Sequence, residues 1–283
     1  MTSSRAEQRS ADLPQAAAPS SGNDKLLSVR DVTKAFSRGA RRVVALDGVT
    51  VEARRGEFLT VVGPSGCGKS TLLHIIGGFE TATSGDVEVD GKPVTGAGRD
   101  RGMVFQKATL FPWMSIERNV AWPLDVAGVG KSDARDRARE LLELVGLHGF
   151  ADAYPGELSG GMQQRAALAR TLAMEPALLL MDEPFGALDA QTRELMQEEL
   201  NRIWQESGTT VVFITHDINE AVFLGDRVVV MSGRPGQVID DVRIELPRPR
   251  SAETKGSKEF GDYHLHLWSL LRGEAAKAET VRR

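Results

Sequence analysis

The stretch GPSGCGKST, Gly63 to Thr71, follows the apolar run FLTVV and leads directly into the helix-like run KSTLLHIIGG. It matches G-x-x-x-x-G-K-[ST] between a strand and a helix, the context in which this pattern cradles phosphate. The residue types follow from that chemistry. Glycines let successive backbone N–H groups turn inward around phosphate oxygens, and the start of a helix adds a dipole of the right sign. Lys69 brings a point charge to the outer phosphates, and Ser70 offers an oxygen to Mg²⁺. The expected nucleotide-binding set is Gly63, Pro64, Ser65, Gly66, Cys67, Gly68, Lys69, Ser70 and Thr71, with Lys69 also counted as catalytic. A glycine-rich turn without a ligand is the alternative, and the strand-to-helix context weighs against it.

On either side of this loop the chain reads as alternating strands and helices. LLSVRDV, VTVEA and FLTVV are rich in β-branched and apolar residues, and SGDVEVDGKPV reads as a hairpin turning at Asp90-Gly91. GMVFQ is a further strand. Strands then stop between about Lys107 and Gly156, where SDARDRARELLELVG predicts a helix capped by Ser132 and ended by Gly146. Beyond it come the helix MQQRAALARTLAME, the buried strand ALLLMD, the helix QTRELMQEELNRIWQESG and the strand TVVFIT. A short helix follows, opened by Asp217 with Glu220 completing a capping box. Strands alternating with helices of these lengths imply a mainly parallel sheet covered on both faces, with a helical insert at about 107–165.

The bulk numbers narrow the class. A chain of 283 residues has room for one large α/β domain with an insert. Its 35 basic and 39 acidic side chains, a formal charge of −4, provide no general attraction to nucleic acid. Cys67 is the only cysteine, so no intrachain disulfide can form, which suits a reducing compartment. No run reaches the ~18 consecutive apolar residues that a membrane span requires. Residues 1–25, rich in Ser, Ala, Gln and Pro, read as a flexible tail, and 241–283 as a C-terminal extension. In that extension Phe260, His264, Leu267 and Leu271 share one helical stripe.

LLLMDEP ends a strand in two carboxylates, where ligands of such sheets gather. There Asp182 is placed to hold Mg²⁺ and Glu183 to polarise the attacking water, which points to Mg²⁺-dependent NTP hydrolysis. A solvated turn is the plain alternative, and the phosphate loop makes it the weaker one. LSGGMQQR (Leu158 to Arg165), Gln106, GALD (Gly186 to Asp189) and His216 complete an ordered set. That set resembles the ATPase subunit of an ATP-binding cassette (ABC) transporter over roughly Leu26 to Gln237. The resemblance implies an α/β P-loop NTPase fold with an antiparallel β subdomain, over residues 26–240.

The resemblance further implies that two copies pair head to tail, with each ATP between the phosphate loop of one and Ser159, Gly160 and Gly161 of the other. Met162 stands where the commonest signature has Gln. Gln106 and His216 are implied to be catalytic beside Glu183, with Gln106 also near Mg²⁺ together with Ser70 and Asp182. Phe36, in VTKAFSRG, either stacks on adenine or is core. Asp189 lies across the dimer interface, caps the following helix, or does both. In FQKATLFPWM, the segment Leu110, Phe111, Trp113 and Met114 either lines a groove for a membrane permease subunit or packs inside the insert. The wording of several segments is similar to the nitrate, sulfonate, taurine and bicarbonate importer branch. It implies ATP and Mg²⁺ as cofactors, a separate integral membrane permease, a solute-binding protein acting indirectly, no nucleic acid, and a peripheral place at the cytoplasmic face of the inner membrane. A split exporter and a soluble non-transport ATPase are the other readings.

Overall fold

Unbroken apolar runs, as opposed to alternating ones, mark strands buried on both faces. FLTVV, LLLM and TVVFIT are such runs, and they form the middle of the larger sheet. The computed structural model describes residues 24–39, 41–186 and 188–281. Residues 1–23 of the tail expected over 1–25 therefore lie outside the described residues, while Asp24 O accepts from Arg55 N and Lys25 opens the first strand. In chain order the elements are β1 (Lys25–Arg38), β2 (Arg41–Arg54), β3 (Phe58–Val62), α1 (Lys69–Gly77), β4 (Ser84–Val89), β5 (Lys92–Pro93) and β6 (Arg101–Val104). Next come α2 (Ile116–Val126), α3 (Lys131–Leu144), α4 (Gly160–Leu172), β7 (Leu178–Asp182), α5 (Ala190–Ser207), β8 (Thr210–Thr215) and α6 (Ile218–Leu224). β9 (Arg227–Met231), β10 (Val238–Arg243), α7 (Ala252–Lys255) and α8 (Lys258–Val281) complete the chain.

The larger sheet has the order β10-β9-β3-β8-β7-β6, parallel throughout except for β10 at its edge. A second sheet, β2-β1-β4-β5, is antiparallel. Between the sheets, Leu72, Leu73, Ile75 and Ile76 of α1 pack on Leu27, Val29, Leu59 and Val61. On the other face of the larger sheet, Phe58, Phe213 and Phe185 form a chain of rings with centroids 5.8 and 5.6 Å apart, and α2 to α6 close over them. Burying an aromatic ring of this kind contributes about 2 to 3 kcal/mol, so these rings anchor the helical layer to the sheet.

Two local readings need correction. Ser132 does not cap α3: Gly130 occupies the N-cap without a side-chain bond, and Ser132 sits inside the first turn. Gly146 does follow that helix in a left-handed conformation, φ 65°, and its N–H reaches Glu143 O. The expected boundary at Asp240 falls inside β10, because Asp240 and Asp241 pair with Val230 and Val229 of β9.

The C-terminal extension is held by two arginines. Arg250 is buried and donates to the carbonyls of Val222, Phe223 and Gly225 at the end of α6. Arg248 donates to Asp226 and lies over the Trp204 ring, 4.2 Å from its centroid. Helix α8 then buries Phe260 and Leu267 against the core.

Candidate functional site

Sheet register brings the chemistry together. β3 lies beside β8 and β8 beside β7, with Val62 opposite Thr215 and Ile214 opposite Asp182. The residues that leave the carboxyl ends of these strands are therefore neighbours: the phosphate loop, Asp182-Glu183, and His216. Glu183 N–H also donates to Ile214 O at 3.0 Å, carrying the β7–β8 ladder one residue beyond the strand.

The phosphate loop is built around a buried charge. Lys69 is only 5% exposed, and its Nζ donates to Gly63 O at 2.8 Å and Pro64 O at 3.2 Å. No salt bridge reaches it among the described residues, so a fixed ammonium is solvated by loop carbonyls alone, an arrangement that favours an arriving anion. Gly63 is required by close approach, since a Cβ there would lie 2.9 Å from Cys67 Sγ. Gly68 takes φ 108° at the N-cap of α1, whose first turn contains no acid, so its N–H groups stay free of carboxylate competition. Ser65, Gly66 and Ser70 are exposed, whereas the Cys67 side chain is buried in the core and its thiol is pushed up by that burial. Cys67 can thus offer only its backbone to a ligand.

Ser70 Oγ donates to Asp182 Oδ1 at 2.9 Å. Burial raises the Asp182 carboxyl above its ordinary range, with the Ser70 hydrogen bond opposing the shift. Glu183 adopts φ 44°, a strained left-handed backbone for a non-glycine residue. That backbone sets its carboxylate 3.0 Å from His216 Nδ1. Gln106 is exposed, and its Nε2 comes within 3.3 Å of where a Gly186 Cβ would stand, a point 3.8 Å from Glu183 Oε2. Phe36 is 42% exposed, not core, and with Val43 it walls a cleft of about 430 Å³ that also contains Ser65, Lys69, Thr71 and Glu183.

Ser159, Gly160 and Gly161 are not among the residues of that cleft. Ser159 caps α4 by accepting from Met162 N, and both Ser159 and Gly160 are exposed. Gly161 is buried under α5, where a Cβ would fall 2.7 Å from Thr192 Cγ2. Met162, the departure from the commonest signature, turns inward onto the core. Asp189 caps α5, accepting from Thr192 N at 3.0 Å and Thr192 Oγ1 at 2.7 Å. Those bonds hold its carboxyl below the ordinary range.

Asp217 caps α6 through Asn219 N, but the capping box expected with Glu220 does not form. Glu220 is buried instead, accepting from Thr215 Oγ1 at 2.5 Å and Gln197 Nε2 at 3.3 Å, while Asp217 N–H turns back to Thr215 Oγ1. This network braces both sides of His216. Burial raises the Glu220 carboxyl despite those bonds.

The segment LFPWM is pinned by Asn119, which is fully buried. Its Oδ1 accepts from Phe111 N at 2.7 Å, and its Nδ2 donates to the carbonyls of Phe111, Met114 and Ser115. Leu110 packs onto the core. Phe111 bridges outward to Trp113 and Trp122, with centroids 5.5 and 5.7 Å away, and Trp113 is 68% exposed. Arg170 of α4 lies over Phe111 and donates to Thr109 O, and Gln164 of α4 donates to Phe105 O beside Gln106.

Sequence reasoning missed Asn119, Trp122 and Arg234, and misread Glu220. Arg234 donates from Nε and Nη2 to Gly66 O across the phosphate loop. Its only sequence signal is the segment SGRPGQ, which brings it to the loop through the β9–β10 turn.

The fold and site define an ABC-type ATPase, and the chain belongs to the ABC transporter family, whose family model matches residues 46–186. It is 50% identical over 252 residues to an uncharacterized ABC transporter ATP-binding protein of Methanocaldococcus jannaschii, covering 89% of this chain and 93% of that one. It is 47% identical to the nitrate import ATP-binding protein NrtD of Synechocystis, over 90% of this chain and 98% of the relative. The aliphatic sulfonates import ATP-binding protein SsuB of Bacillus cereus is 44% identical, over 83% of this chain and 92% of its own. Among solved structures, a dimeric post-hydrolysis ATP-binding cassette bound to ADP and Pi superposes with TM-score 0.70 at 36% identity, over 78% of this chain and 100% of that chain. No helix among the described residues is long and apolar enough to cross a membrane.

A pH-dependent outcome follows from Glu220. A carboxyl raised by folding contributes stability that is present below its ordinary value and lost as pH rises through the raised one. Glu220→Gln, which stays neutral, should therefore gain melting temperature over the parent near about pH 8 and lose that gain below about pH 5. A difference that does not change with pH in a thermal-melt series contradicts this.

Proposed function

We propose that two copies of this chain clamp ATP between them and use its hydrolysis to drive import of a small anionic nutrient. On this reading the nutrient passes through separate membrane permease subunits at the cytoplasmic face of the inner membrane, with a solute-binding protein acting upstream. The observation that carries the reading is the split between two surfaces. The phosphate loop, Glu183 and Phe36 share one cleft, while the exposed Ser159 and Gly160 at the start of α4 belong to another face. A second copy brings those bare N–H groups to the γ-phosphate, so ATP itself completes the site. The dimeric cassette bound to ADP and Pi supports the pairing, and the names of the nitrate and sulfonate relatives support the cargo class.

In this reading the phosphate loop residues Gly63 to Thr71 hold the phosphates, Lys69 neutralises their charge, and Phe36 stacks on adenine. Glu183 accepts a proton from water as its oxygen attacks the γ-phosphorus and the bond to the ADP oxygen breaks, releasing ADP and inorganic phosphate. His216, oriented through Nδ1 by Glu183, contacts the γ-phosphate with its other ring nitrogen. Asp189 meets the opposite copy while capping α5. The Ser70 hydroxyl and the Asp182 carboxylate fit Mg²⁺: both are hard oxygen donors in contact, and no larger His, Cys, Asp or Glu cluster is present among the described residues. Ser70 and Asp182, with Gln106 on the Glu183 side, would hold Mg²⁺, which would supply positive charge against the phosphates.

The aromatic patch of Phe111, Trp113 and Trp122 receives the permease in this reading. It is exposed yet seated by Asn119, and Arg170 ties it to the helix that Ser159 opens, while Gln164 of the same helix holds the backbone of Phe105 upstream. Motion of α4 on ATP closure thereby reaches the patch.

Two outcomes test these roles. Glu183→Gln should keep ATP affinity, slow hydrolysis by roughly 10² to 10⁴, and accumulate an ATP-dependent dimer. Near-parental turnover removes Glu183 from its role. Trp113→Ala should reduce co-purification with the permease while changing stability by less than about 0.5 kcal/mol. A large drop in melting temperature with normal assembly assigns the ring to the fold instead.

A further inference from the structure

Helix α8 has two apolar faces, and only one of them is covered. Phe260 and Leu267 are buried, and Tyr263, Leu270 and Leu271 pack beside them on the core. Near the far end, Glu274 accepts from Gly233 N at 3.1 Å, next to the arginine that holds the phosphate loop. On the opposite face Leu265 is 63% and Trp268 52% exposed. These two and His264 form one wall of a groove of about 480 Å³ whose other wall is His216 to Asn219. The helix thus lies against the segment that carries the candidate γ-phosphate histidine.

The exposed stripe has a charge pattern of its own. At about 100° per residue, Asp262, Leu265, Ser269 and Arg272 share one side of α8, with Trp268 at its margin. Exposed Lys258 lies on the same side one turn before Asp262, so the stripe runs base, acid, apolar middle and base. Neither Asp262 nor Arg272 enters an ion pair among the described residues. A stripe of this order complements a copy of itself only when the two run antiparallel, because a parallel copy sets acid against acid and base against base. An anionic lipid surface calls for an unbroken basic flank, which Asp262 between Lys258 and Arg272 interrupts.

We propose that α8 pairs with α8 of a second copy, antiparallel about a two-fold axis at the level of Leu267. This extends the ATP-dependent dimer and rests on the reading that two copies share ATP. Asp262 of each copy meets Arg272 of the other, and Leu265 and Trp268 cover their counterparts between these two charge pairs. The same apolar side chains close the groove over Ile218 and Asn219, so the contact reaches the segment that carries His216. The helix is thereby a second, nucleotide-independent surface of the same dimer.

The test uses the full chain in the Glu183→Gln background with ATP and Mg²⁺, reading the dimer dissociation constant by sedimentation. Asp262→Arg and Arg272→Asp should each weaken the dimer about tenfold, and Leu265→Glu at least as much. Asp262→Arg combined with Arg272→Asp should return the constant to within about threefold of the background, a recovery that a merely local role for either side chain does not produce. An ATP-dependent dimer insensitive to the single reversals, or not rescued by the double one, overturns the α8 contact and leaves the ATP clamp standing. Single reversals that lower permease recovery while sparing the dimer assign the stripe to the permease and overturn the contact as well. Absence of any ATP-dependent dimer in the background overturns the shared-ATP reading and this extension together.

Discussion

The parallel register of β3, β8 and β7 is the constraint from which the rest of the molecule follows. Pairing Val62 with Thr215 and Ile214 with Asp182 brings a phosphate loop, two carboxylates and a histidine to one sheet edge. A slip of one residue in any of the three strands turns its side chains to the opposite face and separates these groups. The register is held by what lies beneath it, the ring chain of Phe58, Phe213 and Phe185 on one face and α1 on the other. Core packing and site geometry are therefore one problem in this fold. The strained backbone of Glu183 and the carbonyl-bound ammonium of Lys69 persist because that frame over-determines them.

From this edge, contiguous polar contacts lead outward. Gln164 bonds the backbone beside Gln106, Arg170 bonds the next segment and lies over Phe111, and Asn119 fixes the turn that exposes Trp113. On the other side Glu220, Thr215 and Gln197 brace His216, and Lys255 of α7 donates to Gln197. The C-terminal extension is thus wired into the back of the site. Such networks offer a physical route for coupling, which requires that their elements occupy two arrangements.

What was legible in the sequence was what is local. The phosphate loop, the carboxylate pair, Asp217 as a helix cap and the turn at Asp90-Gly91 are each written in a few adjacent residues, whose backbone needs are read directly. Misreadings arose where tertiary context overrides a local pattern. Glu220 stands three residues after Asp217 as a capping box requires, yet burial and the Thr215 hydroxyl draw it inward. Ser132 is a good cap by type, but Gly130 takes that place. Arg234, Asn119 and Trp122 find their partners across 168 residues of sequence, through three backbone carbonyls, and by an edge-on ring contact respectively, and none of these has a periodic signature. The same is true of the arginine staples that dock α8, a helix whose amphipathic stripe was visible while its seat was not.

The central claim is that neither copy contains a whole ATP site. It is tested most directly by mixing two inactive chains, one carrying Lys69→Ala and the other Ser159→Arg. Each alone should hydrolyse almost no ATP, because every site in its own dimer has one damaged half. In the mixture, the phosphate loop of the second chain meets the intact Ser159 of the first, and ATPase activity should reappear. A Ser159→Arg chain that is fully active alone, or a mixture of exchanging dimers that recovers nothing, contradicts the account.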